Sequence, residues 1–406
     1  MIDIVIIGGG ASGLLAAIYS KTANTNVTIL EKNPICGKKI LATGNGKCNY
    51  WNEDQSLIHY HSTNNEILPN IITEQNQNEI LDFFSNLGIY PKIKNGYYYP
   101  FSNQATTIRD ALTKEVERRN IKIKNGFSVE KIEKLNQKFK IYSSNELLTA
   151  DKVIIATGSK AAPKTGSDGS GYRLLRKLNH TYIEPLPALV QLKTNGHYLK
   201  QWAGIRTDVE VSLYEDNKLI RKESGEIQLT DYGISGICIF NLSGYIAKGL
   251  SKNKQEQISI NFLPFIKDNA EEKLYKLFSS SIKRPIRQEL SGLLNSKLVD
   301  VILTEAKINE KKSYLDLSPS EQEKISKLLT DFKTTIIGTN SFDQAQVCSG
   351  GIPLTDINTK TMESKIVDNL YIVGELLDVD GDCGGYNLGF AWITGMLAGK
   401  GCAKND

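Results

Sequence analysis

The sequence predicts an α/β chain whose parallel-sheet domain is split between its two ends. Three observations predict it. A short apolar strand runs into a glycine-rich turn over residues 2–13. A second strand–glycine–helix series, NLYIVGELLDVDGDCGGYNLGFAWITG, occupies residues 369–395. Between them the texture changes, first to short alternating strands and then to charged segments with few glycines.

Each element has a local reason. Residues 2–7, IDIVII, are short, β-branched and bounded by glycine, as in a fully buried strand. Gly8, Gly10 and Gly13 then fit G-x-G-x-x-G, with Gly9, Ala11 and Ser12 between them. LLAAIYSK (14–21) continues as an apolar helix, and VTILEK (27–32) is a second strand carrying Glu31 near its end. This is a whole βαβ fingerprint rather than a bare glycine pattern. Gly8 permits the tight turn, Gly10 lets backbone approach a pyrophosphate, and Gly13 lets the helix pack closely. The helix N-terminus offers free N–H groups and a positive dipole to phosphates. Glu31 can accept hydrogen bonds from a ribose diol and disfavours a 2′-phosphate, which leaves FAD or NAD as the ligand.

Two later strands extend the pattern. LTADKVIIATGS (148–159) is expected as a strand ending at Ala156-Thr157-Gly158. LYIV (370–373) ends at Gly374-Glu375, with Asp378 and Asp380 after it. Residues 387–400 are expected as a helix behind Gly384 and Gly385. The domain is therefore read as a discontinuous Rossmann-like domain, residues 1–188 and 345–406, which the resemblance below makes FAD-binding. An inserted β-domain is expected over 189–245 and 333–344. VEVSLYEDNKLI (208–219) forms its hairpin, turning at Glu215-Asp216-Asn217. A helical sub-insert is expected over 246–332, where SPSE (318–321) fits a capping box with proline at the first helical position.

The bulk properties narrow the function classes. The 406 residues suffice for two or three domains. A net charge of +4, from 49 basic and 45 acidic residues, argues against a nucleic-acid partner. The basic run NKLIRKE (217–223) reads as a solvated strand or turn. No apolar run is long enough for a membrane span, and the N-terminus lacks the marks of a signal peptide, so a cytoplasmic location is expected. The six cysteines form no C-x-x-C, which disfavours a dithiol motif or zinc ribbon. His59 and His61 can share a strand face, but the sequence shows no acids beside them and no metal is expected.

The order of an early glycine fingerprint, a central A-T-G and a late strand–G-E followed by a helix resembles the two-dinucleotide-binding-domain flavoproteins. ICGKKILATGNGKCNYWN (35–52) narrows this. It is similar to a segment of the BaiN-like flavoproteins, also known as aminoacetone-oxidase-like FAD-binding proteins. YYYPFSNQATTIRDAL (97–112), GEIQLTDYGISGICIFNLS (225–243) and residues 349–392 agree with the same family. Ile237 departs from it, standing where proline is usual, and Tyr98 stands near its aromatic before proline.

The resemblance implies FAD as cofactor. Gly8, Gly10, Ala11, Ser12 and Gly13, with Glu31 and Lys32, would hold its ADP half. Thr43, Gly44, Asn45 and Gly46 would run past the isoalloxazine, with Lys39 or Lys47 supplying positive charge. Thr157, Gly158, Gly374, Glu375 and Asp378 would line the middle. Gly384, Gly385, Tyr386, Asn387 and Leu388 would hold the redox half, where a helix N-terminus stabilises the anionic reduced ring. Tyr386, Asn387 and Lys39 are the candidates for a catalytic part, with Tyr97, Tyr98 and Tyr99 as other donors. Cys48 and Cys383 lie in the same motifs and are expected as small packing residues.

The implied activity is an FAD-dependent oxidoreductase. Hydride would pass at flavin N5 in NAD(P)H-driven reduction of an activated C=C in a small enone- or steroid-like molecule. Amine oxidation with O₂ is the rival within the class. RNA modification and a non-catalytic flavin scaffold are rivals outside it. GSDGSGY (166–172), the only candidate for a second glycine fingerprint in the middle third, has no apolar strand leading directly into it, so no dedicated nicotinamide domain is expected and NAD(P)H would dock transiently.

Overall fold

A computed structural model describes residues 1–279 and 282–404. The chain forms two compact units, Met1–Leu186 with Gln346–Asp406, and Pro187–Ala345.

The first unit is built on five parallel strands: β1 (Ile2–Ile7), β2 (Thr25–Glu31), β3 (Lys122–Asn125), β4 (Lys152–Ile155) and β5 (Leu370–Ile372). Their order is β5-β4-β1-β2-β3. The fingerprint helix α1 spans Ala11–Ser20 and the C-terminal helix α2 spans Tyr386–Ala403. β1 is buried from Ile4 to Ile7 and β4 throughout, as parallel strands covered on both faces must be. The stretch expected as one strand at 148–159 is two. Leu147–Ala150 joins an antiparallel three-stranded sheet, and only 152–155 enters the parallel one. Asp151 divides them; its carboxylate accepts from the Asp3 amide at 2.9 Å.

Helix α2 closes on α1 through glycines. A Cβ on Gly395 would lie 2.4 Å from the Ser12 carbonyl oxygen, and one on Gly399 would lie 2.7 Å from that of Ala16. Only hydrogen at these positions lets the two backbones meet. The first and last motifs of the chain therefore share one wall.

The second unit is a closed six-stranded barrel, in the order 192–194, 233–236, 218–229, 206–215, 256–261 and 332–339. Strand 206–215 alternates, and Val209, Val211 and Leu213 face the core. The hairpin turns where expected, with Asp216 and Asn217 both at positive φ, as a two-residue turn of this hand demands. Ser318 caps the helix Pro319–Thr330 in a full capping box with Glu321. Two segments differ from expectation. Glu256–Asn261, inside the stretch expected as helical, is a barrel strand, because Ile258 and Ile260 alternate inward. Ile237–Ser251 is a helix, with Ile237 as its first residue, that begins inside the stretch expected as β-domain, at 237–245, and runs on into the stretch expected as helical. Proline is favoured at that position because its missing N–H would be unpaired anyway. Isoleucine there keeps a backbone N–H at the helix start.

Candidate dinucleotide site

The site grows from the end of β1. Gly8 has φ of +105°, and a Cβ on it would lie 2.4 Å from the Ala156 carbonyl oxygen at the end of β4. A Cβ on Gly13 would lie 1.9 Å from the Gly8 carbonyl oxygen. Both glycines are required by protein packing. Gly10 is different, since a Cβ there would meet no heavy atom within 4 Å. Gly10 is also the N-cap of α1, and no side chain caps that helix. The uncapped N-terminus facing open space suits a phosphate group.

Glu31 is buried at the end of β2. Its Oε2 accepts from the Gly9 amide at 2.8 Å. Its Oε1 accepts from the Asn33 amide and side chain, each at 2.7 Å. A carboxylate offers about four acceptor positions, so room for a hydroxyl donor remains beside those three bonds. Lys32 pairs with Asp168 at 2.8 Å. Burial works against the Asp168 carboxylate, but Lys32 and the Ser170 hydroxyl and amide hold its pKa down at about 2. Thr157 packs against Gly171, and Gly158, at positive φ, lies against Ser167.

The third side comes from the C-terminal segment. Gly374 sits at φ of +68°, and a Cβ there would lie 2.7 Å from Ser12 Oγ. Its amide donates to Thr394 Oγ1 at 3.0 Å. Glu375 binds Lys39 Nζ at 2.7 Å through Oε2 and accepts from the Cys348 amide at 3.0 Å through Oε1. Lys39 also donates to the Ala161 carbonyl at 3.3 Å. Lys39 and Glu375 thus arrive as one neutralised, partly exposed pair.

Asp378 is held by a different segment. It is wholly buried, and its Oδ2 accepts from the Thr63 amide at 2.9 Å and from the Thr63 and Ser62 hydroxyls at 2.5 and 3.4 Å. Its carboxylate ties the late strand to the 62–63 loop, and Oδ1 has no partner.

The loop Thr43–Gly46 is a left-handed turn, with Gly44 and Asn45 at φ of +55°. Gly44, Asn45, Gly46 and Lys47 are exposed. The loop 381–385 faces a small sheet of Trp51–Asn52, Tyr97–Pro100 and Pro91–Lys94. Asn52 Nδ2 donates to the Gly384 carbonyl at 2.9 Å. A Cβ on Gly385, at φ of +97°, would lie 2.6 Å from the Trp51 carbonyl oxygen. Asn387 brackets the loop from the helix, accepting from the Gly381 amide at 2.9 Å and donating to its carbonyl at 2.8 Å. Its side chain is a loop clamp in this structure. Leu388 is half-buried in the same first turn, and no side chain caps α2 at Gly385. Tyr386 is buried, and its phenol is pushed well above the usual range, first by burial and then by the charge of Asp54.

The histidines have acids that the spacing of the sequence did not announce. Tyr60–His61 pairs antiparallel with Asp380–Gly381. His61 Nε2 lies 2.8 Å from Asp382 Oδ1, and His59 Nδ1 lies 3.1 Å from Asp382 Oδ2. His59 Nε2 lies 3.2 Å from Asp54 Oδ2, and its ring stacks on Tyr386 at 4.5 Å. The alternation H-Y-H was the available signal; Asp382, over 300 residues away, gave none. No group among the described residues has the ligands to hold a metal ion. Cys48 is fully buried and burial pushes its thiol up to about 12, which fits a packing role.

A glycine turn with an open helix N-terminus, a buried acid at the end of β2, and a C-terminal helix closing on the same turn define a dinucleotide-binding α/β protein. The chain belongs to the HI0933-like protein Rossmann domain family, which it matches over residues 2–401. It is 40% identical over 402 residues to a 3-dehydro-bile acid Δ(4,6)-reductase of Clostridium scindens, covering 98% of both proteins. It is 27% identical over 397 residues to a ribosomal RNA dihydrouridine synthase of Haemophilus influenzae, covering 96% of both. Its fold is similar to that of a solved 3-ketosteroid-Δ4-(5α)-dehydrogenase from Rhodococcus jostii RHA1, with a TM-score of 0.52 at 13% identity; the likeness covers 97% of that enzyme and 100% of this protein.

Proposed function

We propose that this protein is an FAD-dependent oxidoreductase that reduces an activated C=C bond in a small organic molecule, with NAD(P)H as transient donor. The observation that carries the reading is full-length 40% identity to a Δ(4,6)-reductase, in a protein whose two glycine turns converge at Ser12. The residues fit FAD. Gly10 leaves a cradle at an uncapped helix, and Glu31 keeps acceptor capacity for a ribose hydroxyl. Bound there, FAD supplies a carrier that takes and gives hydride at N5.

The protein's own residues do the rest. The amides of Ala11, Ser12 and Gly13 face the pyrophosphate, Gly8 shapes the turn before them, and Lys32 stands at the rim. Lys39 and Glu375 lie on the pyrophosphate and ribityl side, beside Thr157, Gly158 and Gly374. Thr43, Gly44, Asn45 and Gly46 run along the ring. Gly384, Gly385, Tyr386, Asn387 and Leu388 would hold the redox half, where the uncapped α2 N-terminus would favour negative charge. Asp378 contributes through the 62–63 loop. The six cysteines are free, which supports a reducing, cytoplasmic setting.

A second reading has one observation in its favour. Dihydrouridine also arises by saturating a C=C conjugated to a carbonyl, and a relative of that name matches nearly the whole sequence. Charge speaks against RNA as substrate. The barrel unit, 187–345, carries 22 basic against 20 acidic residues, and the other unit 27 against 25, so neither has a large net surplus.

The test is the visible spectrum of the purified protein under anaerobic NADH or NADPH, followed by addition of an enone steroid or of uridine-containing rRNA. Bleaching by nicotinamide and return of colour with the steroid supports the first reading. Return of colour with RNA alone replaces it by the second. Absence of a flavin band after supplying FAD overturns both.

A further inference from the structure

The small sheet of Trp51–Asn52, Tyr97–Pro100 and Pro91–Lys94 has two unlike faces. Side chains alternate along a strand, and residues paired across two strands share a face. Tyr98 pairs with Trp51, and Tyr97 with Asn52. On the outer strand Lys92 pairs with Tyr99, and Lys94 with Tyr97. The face of Trp51, Tyr98 and Pro100 turns inward. Trp51 and Pro100 are buried, and the Tyr98 ring meets the buried Tyr50 ring edge-on at 6.2 Å. The other face carries Asn52, Tyr97, Tyr99, Lys92 and Lys94.

That face adjoins the two loops that would flank the isoalloxazine. Asn52 Nδ2 donates to the Gly384 carbonyl at 2.9 Å, and a Cβ on Gly384 would lie 3.0 Å from Tyr97 Cε1. At the other loop a Cβ on Gly44 would lie 3.6 Å from Tyr99 Cε1. Away from the loops the hairpin runs one pair further. The Phe101 amide donates to the Tyr90 carbonyl at 2.8 Å, and the two residues are 68% and 77% exposed.

The charge on this face has one sign. Residues 90–101 contain no acid. Lys92 and Lys94 are exposed, and neither makes an ion pair among the described residues. Lys32, Lys39 and Lys160 of the same unit each hold a carboxylate. Glu53 follows Asn52 and so falls on the Tyr98 side, where burial first and then the Glu53 charge raise the Tyr98 phenol. Asp54 is engaged by the Ser56 amide and by His59. Edge-strand lysines serve elsewhere to keep other strands off. That role does not account for a tyrosine row that opens from two loops, or for exposed rings at its far end.

We propose that this face docks NAD(P)H, with Lys92 and Lys94 receiving its phosphates and the tyrosine row its flat rings. A lysine ammonium is a point-charge ligand for phosphate, and aromatic side chains stack on bases of any kind. A neutral steroid would leave both lysines without a partner, and a polynucleotide calls for a broader basic stripe than two side chains. The docking rests on the nicotinamide-donor reading, and it gives that donor a place without a second glycine fingerprint.

The experiment follows anaerobic reduction of the holoprotein by NADPH and by NADH in a stopped-flow spectrometer, over a range of dinucleotide and salt concentrations. The Lys92→Met, Lys94→Met double variant is expected to need about tenfold more dinucleotide for its half-maximal rate. The loss falls on half-saturation rather than on the limiting rate, and most of the salt dependence disappears with it. Unaltered flavin content and dithionite reduction separate lost docking from damaged flavin loops. Lys114→Met, an exposed lysine on the helix Ala105–Arg118, is expected to change nothing. Calorimetric titration with NADP⁺ or NAD⁺ reads the same loss without turnover. Unchanged half-saturation and titration in the double variant overturn the proposal and leave NAD(P)H as donor. A wild type that NAD(P)H neither reduces nor binds removes the donor reading, and the docking with it. A short oligouridylate that binds the wild type but not the double variant, with dinucleotide binding unmoved, assigns the face to RNA and overturns the proposal as well.

Discussion

In the sheet unit Glu31, Asp378 and Asp382 are all buried, and each is anchored by partners from distant segments. In the barrel unit Glu256 is buried too, but its Oε1 has no hydrogen-bond partner and Glu215 stands directly opposite on the neighbouring strand. Burial pushes Glu256 up to about 7, with the charges of Glu215 and Asp216 adding to the effect. The difference separates two uses of a buried acid. The sheet unit gives each of its acids at least one carboxylate oxygen engaged by a distant segment, even where, as at Asp378 Oδ1, the other has no partner. The barrel holds one whose ionised form is disfavoured by burial and by a neighbouring acid.

The sharpest way to break this comparison is at the ligand turn itself. Gly10→Val places a side chain in the open cradle, at a φ of −82° that valine accepts. Flavin affinity is expected to fall by about 100-fold, roughly 3 kcal/mol, while the apoprotein unfolds at an unchanged denaturant midpoint. Equal loss of both would mean the cradle is structural. Next comes Glu256→Gln. Because the folded pKa lies above the unfolded value, the folded state holds the extra proton, and stability falls as pH rises from about 4.5 to about 7. The variant should match the wild type at pH 4 and exceed it by about 2 kcal/mol at pH 8, measured by urea unfolding. A variant no more stable at pH 8 would show that Glu256 is satisfied in solution.

Lys39→Met leaves Glu375 unpaired beside the proposed pyrophosphate. Flavin affinity should drop about tenfold, near 1.4 kcal/mol, read by titration of the apoprotein. An unchanged affinity would make the pair a surface bridge like others of its kind. The smallest effect is expected far from either acid. Ser318→Ala removes a cap from the helix Pro319–Thr330 and should cost about 1 kcal/mol, with flavin binding unaffected.

The legible parts of the fold are those whose cause is local. β1 and β2 reveal themselves as apolar runs bounded by turns, the barrel hairpin by Asp216-Asn217, and the 319–330 helix by Ser318-Pro319. The illegible parts turn on context. LTADKVIIATGS is one β-prone run, yet Asp151 hands its two halves to different sheets. EQISIN is too short and polar to stand out until a closed barrel supplies both neighbours. The site divides in the same way. Gly8, Gly10 and Gly13 sit in one stretch whose spacing carries the geometry. Asp378 follows a glycine turn as a ligand residue would, and only the packed 62–63 loop shows where its carboxylate is engaged.

Residue order was enough to set a βαβ dinucleotide fingerprint, a late strand–glycine–helix repeat of it, and an insert of different texture. Hydrogen bonds within a turn and the periodicity of burial act over a few residues, so a short stretch can express them. Tertiary packing decided that Ser12 meets Gly374 and Gly395, that Lys39 meets Glu375, and that His61 and Asp382 meet across 321 residues. Those meetings depend on how strands order in a sheet and how closely two helices approach, which no single segment encodes.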